Sequence, residues 1–374
     1  MKKTKTERCY SIVLTGGHAG TTALAVVKEI KRRHPLWKIC WIGAASAIEG
    51  KTIPTPESKA FPLEGVEFEA IFTGRLQRRF TLWTVPSLLK IPFGFVHALI
   101  LLLGIRPKVI LSFGGFAAFP VVVVGAILGI PVIIHEQTMA VGRANKFSAL
   151  FARKIALARE ESLEFFPKDK CVVVGNPILP EIEKILPKKE ISDPPQILVT
   201  GGSRGSMTIN SIVGGVLAQL LSKYRLIHHT GEIDFSRFEK RRFGLTGAAK
   251  ERYEVYAHIP AKLMPKILEE ADILVGRAGA NTVSEAVAAK KPSILIPLPF
   301  SYLDEQTKNA DFAQKFGVAK VLPQEKATGP KLLEEIDETV ENWQATLNKV
   351  KEKETPDIGA SGRLVSLIEE YCKP

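Results

Sequence analysis

Residues 11–20 read SIVLTGGHAG and residues 197–206 read ILVTGGSRGS. Each is a β-branched run that enters a glycine-rich turn and continues into a stretch of helical apolar spacing. Such a turn lets backbone approach a ligand closely, and the helix start behind it presents free N–H groups to an anion. A single turn of this kind is commonly only a tight strand-to-helix connection. Two in one chain, with a third at SFGGF (112–116), favour phosphate binding.

Outward from these openings, short apolar runs alternate with helical segments: WKICWIG (37–43), VILSF (109–113), PVIIHE (131–136), KIALA (154–158) and CVVVG (171–175). The pattern pauses at the polar, proline-rich KILPKKEISDPPQ (184–196) and restarts with YRLIHHTG (224–231), YEVYAHI (253–259), ADILVGRAG (271–279) and PSILIPLP (292–299). Alternation of this kind predicts an α/β fold with parallel sheets, and 374 residues exceed what one core usually supports. The expected domains are 1–180, 181–345 and a C-terminal helical segment, 346–374, able to pack back on the first half or to lie on the second. Neither glycine turn is G-x-G-x-x-G with a following acid at ribose distance, which argues against nicotinamide binding. A G-x-x-x-x-G-K-[ST] loop is also missing, which disfavours a P-loop NTPase.

The composition, 45% hydrophobic and 24% charged, excludes a disordered, collagen-like or coiled-coil chain. A net charge of +12 points to an anionic partner: nucleic acid, a phosphorylated ligand or an acidic membrane. No aromatic-interleaved basic motif or helix-turn-helix supports nucleic acid. Cys9, Cys40, Cys171 and Cys372 are scattered and read as reduced thiols, and the apolar stretch before Gly16 is too short for an export signal. The run 109–134 has no charged residue, yet Gly114-Gly115, Pro120 and Gly129-Ile130-Pro131 divide it into strand, loop, helix and strand. The second apolar stretch, 82–105, carries Pro86, Lys90, Pro92 and His97 behind Arg75, Arg78 and Arg79. It reads as a buried helix, and it also suits a face lying on an anionic bilayer.

The ordered series TGGH (15–18), SFGGFAAFP (112–120), GIPVIIHEQ (129–137), GNP (175–177), TGGSRG (200–205), GRAGANTVSEA (276–286) and DEQTKNA (304–310) resembles the MurG family of glycosyltransferase family 28 over residues 10–345. The resemblance implies the GT-B arrangement, two Rossmann-like parallel-sheet domains facing across a cleft, with acceptor on the N-terminal half and nucleotide sugar on the C-terminal half. It implies inverting transfer of GlcNAc from UDP-GlcNAc to the C4 hydroxyl of an undecaprenyl-pyrophosphoryl-MurNAc-pentapeptide acceptor, in peptidoglycan synthesis. The protein would work peripherally at the cytoplasmic side of the bacterial cell membrane, on its anionic inner surface, alongside other cell-wall synthesis proteins.

The same resemblance implies the site residues. Thr15, Gly16 and Gly17 meet diphosphate, and His18 is the candidate base. A histidine at a helix start tends to stay neutral, and one that merely fixes the turn is the plain alternative. Glu136 is a second candidate base, with capping of the following turn as its alternative. Gly114, Gly115, Gln137 and Thr138 fall on the acceptor side. On the donor side, Ser203 bonds phosphate beside Arg204, the Ile259 backbone reads uracil, and Arg277 neutralises the leaving diphosphate. Ala280, Asn281 and Thr282 lie near the phosphates, Glu285 accepts from both ribose hydroxyls, and Asp304, Gln306 and Asn309 contact the sugar. Two departures stand out: Thr138 where the family has asparagine, and Leu179 where it has arginine, whose charge Arg204 or Arg143 would have to replace. No Asp-x-Asp pair is present, so no obligatory metal is expected, while a bound divalent cation such as Mg is compatible. Alternatives are a related GT-B transferase with another lipid acceptor and a UDP-sugar-binding scaffold. A UDP-GlcNAc epimerase shares the two halves but fits the motif series poorly.

Overall fold

The computed structural model describes residues 9–17, 20–46, 55–74 and 84–372. The chain forms two compact units, one running to Pro177 and resuming at Gly359, the other Ile178–Ile358.

The first unit is a seven-stranded parallel sheet: β1 (Ser11–Gly16), β2 (Lys38–Gly43), β3 (Glu67–Ala70), β4 (Val109–Ser112), β5 (Val132–Glu136), β6 (Lys154–Leu157) and β7 (Cys171–Val173). Its spatial order is β3-β2-β1-β4-β5-β6-β7. The direction of winding reverses between β1 and β4, where α/β sheets bind their ligands beyond the strand C-termini. The second unit repeats the plan with β8 (Gln196–Thr200), β9 (Arg225–His229), β10 (Tyr253–Tyr256), β11 (Ile273–Gly276), β12 (Ser293–Leu295) and β13 (Ala319–Val321), ordered β10-β9-β8-β11-β12-β13. Its reversal lies between β8 and β11. Each unit is thus the Rossmann-like parallel sheet that the alternating pattern predicts.

Central strands are apolar throughout because helices cover both faces: Ile12, Val13, Leu14, Ile110, Leu111, Ile133 and Ile134 are fully buried. The uncharged run 109–134 resolves into β4, a glycine turn, the helix Ala118–Ile127 and β5. That helix closes on the sheet at Gly125, where a Cβ would stand 2.2 Å from Ile110 Cδ1. Among the described residues, no helix is long and apolar enough to cross a membrane.

The C-terminal segment divides later than residue 345. The helix Trp343–Val350 belongs to the second unit: Trp343, Leu347 and Val350 are buried there, and Trp343 Nε1 donates to the Asp272 carbonyl at 3.0 Å. The helix Ala360–Tyr371 instead packs on Gly20–Arg33 of the first unit. Arg33 and His34 reach Glu369 at 3.4 and 2.8 Å, and Arg363 donates to the Val174 carbonyl at 3.0 Å. The proline-rich stretch 184–196 is strapped to the second unit through fully buried Asp272, which accepts from Lys188 (2.5 Å), Ser192 N–H (3.3 Å) and Gln196 N–H (2.8 Å).

Candidate active site

In the first unit the loops after β1 and β4 meet backbone to backbone. Phe113 N–H donates to the Thr15 carbonyl at 2.8 Å, and Gly17 N–H donates to the Gly114 carbonyl at 2.9 Å. Gly114 and Gly115 take φ of 78° and 94°, and a Cβ on Gly115 would stand 2.9 Å from Gly17 N. Left-handed backbone and lack of room both require glycine there. Thr15 is fully buried and its hydroxyl donates to the Ile42 carbonyl at 2.7 Å, so it fixes the end of β1. His18 lies outside the described residues.

Glu136 ends β5 and braces its own loop. Its carboxyl accepts from Thr138 N–H (3.2 Å), Gly142 N–H (3.2 Å) and Asn145 Nδ2 (2.9 Å), and Thr138 Oγ1 stands 3.2 Å away. Burial pushes this carboxyl up to about 7, against the pull of those donors. With both oxygens accepting inside the loop, Glu136 does the work of a turn cap. Thr138 is engaged in the same way, its hydroxyl donating to the Ala140 carbonyl at 2.8 Å. Gln137 is the neighbour whose side chain stays half-exposed and bonds to no described residue. Asn145 joins this loop to the glycines: its amide also donates to the His135 carbonyl at 3.3 Å, and its Oδ1 lies where a Gly114 Cβ would stand. Sequence reasoning passed over it, the only signal being an asparagine just inside the helix Arg143–Ser148.

In the second unit the construction recurs. Arg277 N–H donates to the Thr200 carbonyl at 3.2 Å, latching the loop after β11 to the loop after β8 as Phe113 latches to Thr15. Gly202 and Gly205 take φ of 80° and 75°. Between them Ser203 and Arg204 are exposed and bond to no described residue, so hydroxyl and guanidinium are available to a ligand. Ser206 caps the helix Met207–Gly215, accepting from Ile209 N–H.

Arg277 itself is 7% exposed, and its partners are all neutral: Ser206 Oγ (3.2 Å), the Ile296 and Pro297 carbonyls (3.1 and 3.2 Å) and Gln324 Oε1 (2.7 Å). Four N–H groups are spent on binding together the ends of β8, β12 and β13. One remains for a ligand, so Arg277 organises the loops and lends a positive field more than it grips a diphosphate. Burial lowers its pKa.

The helix Ala280–Ala288 starts beside it, and its N-cap, Gly279, makes no side-chain cap hydrogen bond. One turn on, the partly exposed Glu285 carboxyl has no hydrogen bond or ion pair with any described residue, and burial raises it to about 7. Ile259 is buried, yet its main-chain N–H and C=O meet no partner among the described residues. Asn309 donates to the Ala278 carbonyl at 3.1 Å and so supports the loop. Gln306 accepts from Leu298 N–H at 3.0 Å, while the preceding Leu303 and Asp304 are held left-handed, φ 50° and 55°, a strain of order 1–3 kcal/mol each. Leu179 is buried, so the missing arginine has been replaced by core. Among the described residues no group of three His, Cys, Asp or Glu is placed to hold a metal ion.

The first unit also carries an unusual surface. Along the helix Thr84–Ile105, Leu89, Phe93, Val96, Ile100 and Leu103 recur at spacings of four and three, and all are exposed, Leu89 at 67%. Phe95, by contrast, turns inward against Phe119. Lys90 lies over Phe72, and Arg106 is exposed at the helix end. Arg75, Arg78, Arg79, Leu82 and Trp83 lie outside the described residues, as does the Leu88 side chain.

Residues 12–157 match the glycosyltransferase family 28 N-terminal domain and residues 196–361 the family 28 C-terminal domain. A Bacillus subtilis protein named UDP-N-acetylglucosamine--N-acetylmuramyl-(pentapeptide) pyrophosphoryl-undecaprenol N-acetylglucosamine transferase is 31% identical over 369 residues, 96% of this chain and 98% of that one. The crystal structure of Acinetobacter baumannii MurG aligns at TM-score 0.69 and 23% identity, covering 96% of this chain and 99% of that one. A Neisseria meningitidis UDP-GlcNAc 2-epimerase, bound to UDP-GlcNAc, aligns at TM-score 0.62 and 14% identity, covering 96% and 99%. The fold alone therefore does not separate transferase from epimerase, whereas the sequence does. Two parallel Rossmann-like sheets, each with glycine loops latched at its switch point and each matched by a family 28 domain, make this a glycosyltransferase of the GT-B type. The chain belongs to glycosyltransferase family 28.

Proposed function

We propose that this protein transfers GlcNAc from UDP-GlcNAc to the C4 hydroxyl of undecaprenyl-pyrophosphoryl-MurNAc-pentapeptide, with inversion at the anomeric carbon and release of UDP. The observation that carries the donor half is Glu285. A partly buried carboxyl with no hydrogen bond or ion pair to any described residue, one turn into a helix whose N-cap glycine offers no side-chain cap, is arranged to accept from a vicinal diol while the helix N-terminus meets phosphate. Ile259 supplies an unpaired main-chain donor and acceptor for a uracil edge. Ser203 on the glycine loop 201–205, the N-terminus of the helix Ala280–Ala288 and the Arg277 field then stabilise charge on departing UDP without rearranging, and Arg204 stands in for the arginine lost at 179. Asp304 and Gln306 face the sugar. His18 is the base in this reading, because Glu136 is committed to its loop; Gly16 and Gly17 meet diphosphate, and Gly114, Gly115 and Gln137 line the acceptor side.

Purified protein is expected to move labelled GlcNAc from UDP-GlcNAc to a synthetic polyprenyl-pyrophosphoryl-MurNAc-pentapeptide. His18→Ala should lower kcat by ~10²–10⁴ with little change in donor affinity. A second reading, a family 28 transferase for another lipid-linked acceptor, rests on Thr138 turning its hydroxyl into its own loop. Donor binding without transfer to the MurNAc lipid would select it, or a UDP-sugar-binding scaffold.

The exposed stripe on Thr84–Ile105 supports docking on an anionic membrane, the apolar side chains entering the interface while Lys90 and Arg106 meet headgroups. Phe93→Asp with Ile100→Asp removes two large apolar contacts worth ~1.5–3 kcal/mol each on burial. The pair should cut co-sedimentation with phosphatidylglycerol vesicles by at least about tenfold and leave UDP binding intact. Unchanged sedimentation would remove the membrane from this face.

A further inference from the structure

We propose that His229 is a positioning residue that holds the 201–205 loop and the 257–259 segment at the spacing one nucleotide requires, resting on the donor site proposed above. His229 is the last residue of β9, and β9 lies between β8 and β10. In register it stands opposite Thr200 on one side and Tyr256 on the other, the residues from which the two segments depart. His229 is buried, 3% exposed, and Nδ1 lies 3.1 Å from Thr200 Oγ1.

Thr200 Oγ1 also accepts the Gly202 N–H at 3.2 Å. A hydroxyl that accepts from an amide has its own proton to give, so it donates to Nδ1 and the imidazole proton sits on Nε2, an assignment made from the bonding network. Nε2 is buried and reaches no acceptor at hydrogen-bonding distance. Burial, first, and the neighbouring His258 push the ring's pKa down to about 4, opposed by the Ala257 main chain, so the ring is neutral near pH 7. His258 and Ile259 follow directly in the segment proposed to read uracil, and the His258 ring lies 6.2 Å from that of His229. A neutral ring bonded to the phosphate-side loop, with its one remaining N–H next to the base-side segment, cannot exchange protons with substrate usefully. It can brace the two segments, and the bond to Ala257 is completed when a ligand draws both onto itself.

The test compares a ligand that spans both segments with one that does not. His229→Leu should weaken UDP binding about tenfold, the worth of roughly two hydrogen bonds. Uridine and inorganic pyrophosphate should each change by less than about twofold. His229→Gln, whose carbonyl can accept from Thr200 and whose N–H can reach Ala257, should restore UDP affinity to within about twofold. For donor turnover, His229→Leu should raise KM and leave kcat at saturation unchanged. Equal weakening of uridine and UDP, or a lowered Tm with UDP affinity intact, would overturn the inference. Failure of the native protein to bind UDP would overturn the donor site itself, and the inference with it.

Discussion

Glu285→Ala raises the KM for UDP-GlcNAc by about two orders of magnitude at pH 8 and leaves kcat within a few-fold. The size follows from two charge-assisted hydrogen bonds to a diol at ~1.5–3 kcal/mol each, less what water returns. The signature is in the pH dependence. Burial raises this carboxyl to about 7, so it is mostly protonated at pH 6 and mostly ionised at pH 8. Only the ionised form accepts from both ribose hydroxyls, so affinity rises with pH through 7, about five- to tenfold between pH 6 and 8. UDP-GlcNAc is the probe because its diester phosphates stay ionised across that window. Glu285→Gln should bind weakly and nearly independently of pH. Stability runs the other way: a group raised in the folded state contributes stability below its unfolded pKa and loses it as pH rises through the folded one. Without ligand, Glu285→Gln should therefore melt higher than the native protein at pH 8. A native affinity flat from pH 6 to 8 would take Glu285 out of the ribose site.

Arg277→Leu loses stability first and donor binding second. Deletion leaves the buried Ile296 and Pro297 carbonyls, and the half-buried Ser206 hydroxyl and Gln324 amide, without their donor. Each such group costs ~1–3 kcal/mol, and removing a buried cation returns part, so the net loss should be ~3–5 kcal/mol. For a unit of this size that lowers Tm by about 10 °C, at ~2–4 °C per kcal/mol. UDP should raise the Tm of the variant less than that of the native protein, because the loops that form its site are no longer held together. Arg277→Lys keeps the charge but not the planar fork, and should recover only part of either effect. A Tm within about 2 °C of native would refute the organising role and return Arg277 to direct diphosphate contact.

The sheets were legible because their central strands are uninterrupted apolar runs punctuated by glycine. β3 and β13 were missed: Glu67–Ala70 and Ala319–Val321 are short edge strands with little buried surface, and no period marks them. The repeat at 11–20 and 197–206 marks the first strand and glycine turn of each sheet, since close backbone approach leaves its mark as glycine. The roles of Glu136, Thr138 and Arg277 were less legible. Each is decided by partners from loops distant in sequence or by the fold of its own loop, and a motif records the residue without recording which of its hydrogen bonds are already spent. The end of the second unit was hidden for a related reason: Trp343, Leu347 and Val350 look like one face of any amphipathic helix until the surface they cover is known.

The passage of the chain through Pro177 and back at Gly359 bears on its synthesis. On the ribosome, the first sheet is complete long before the helix Ala360–Tyr371 emerges to pack on Gly20–Arg33. The part translated first is therefore finished last, and the surface of Gly20–Arg33 that this helix meets waits uncovered while the whole second unit is made.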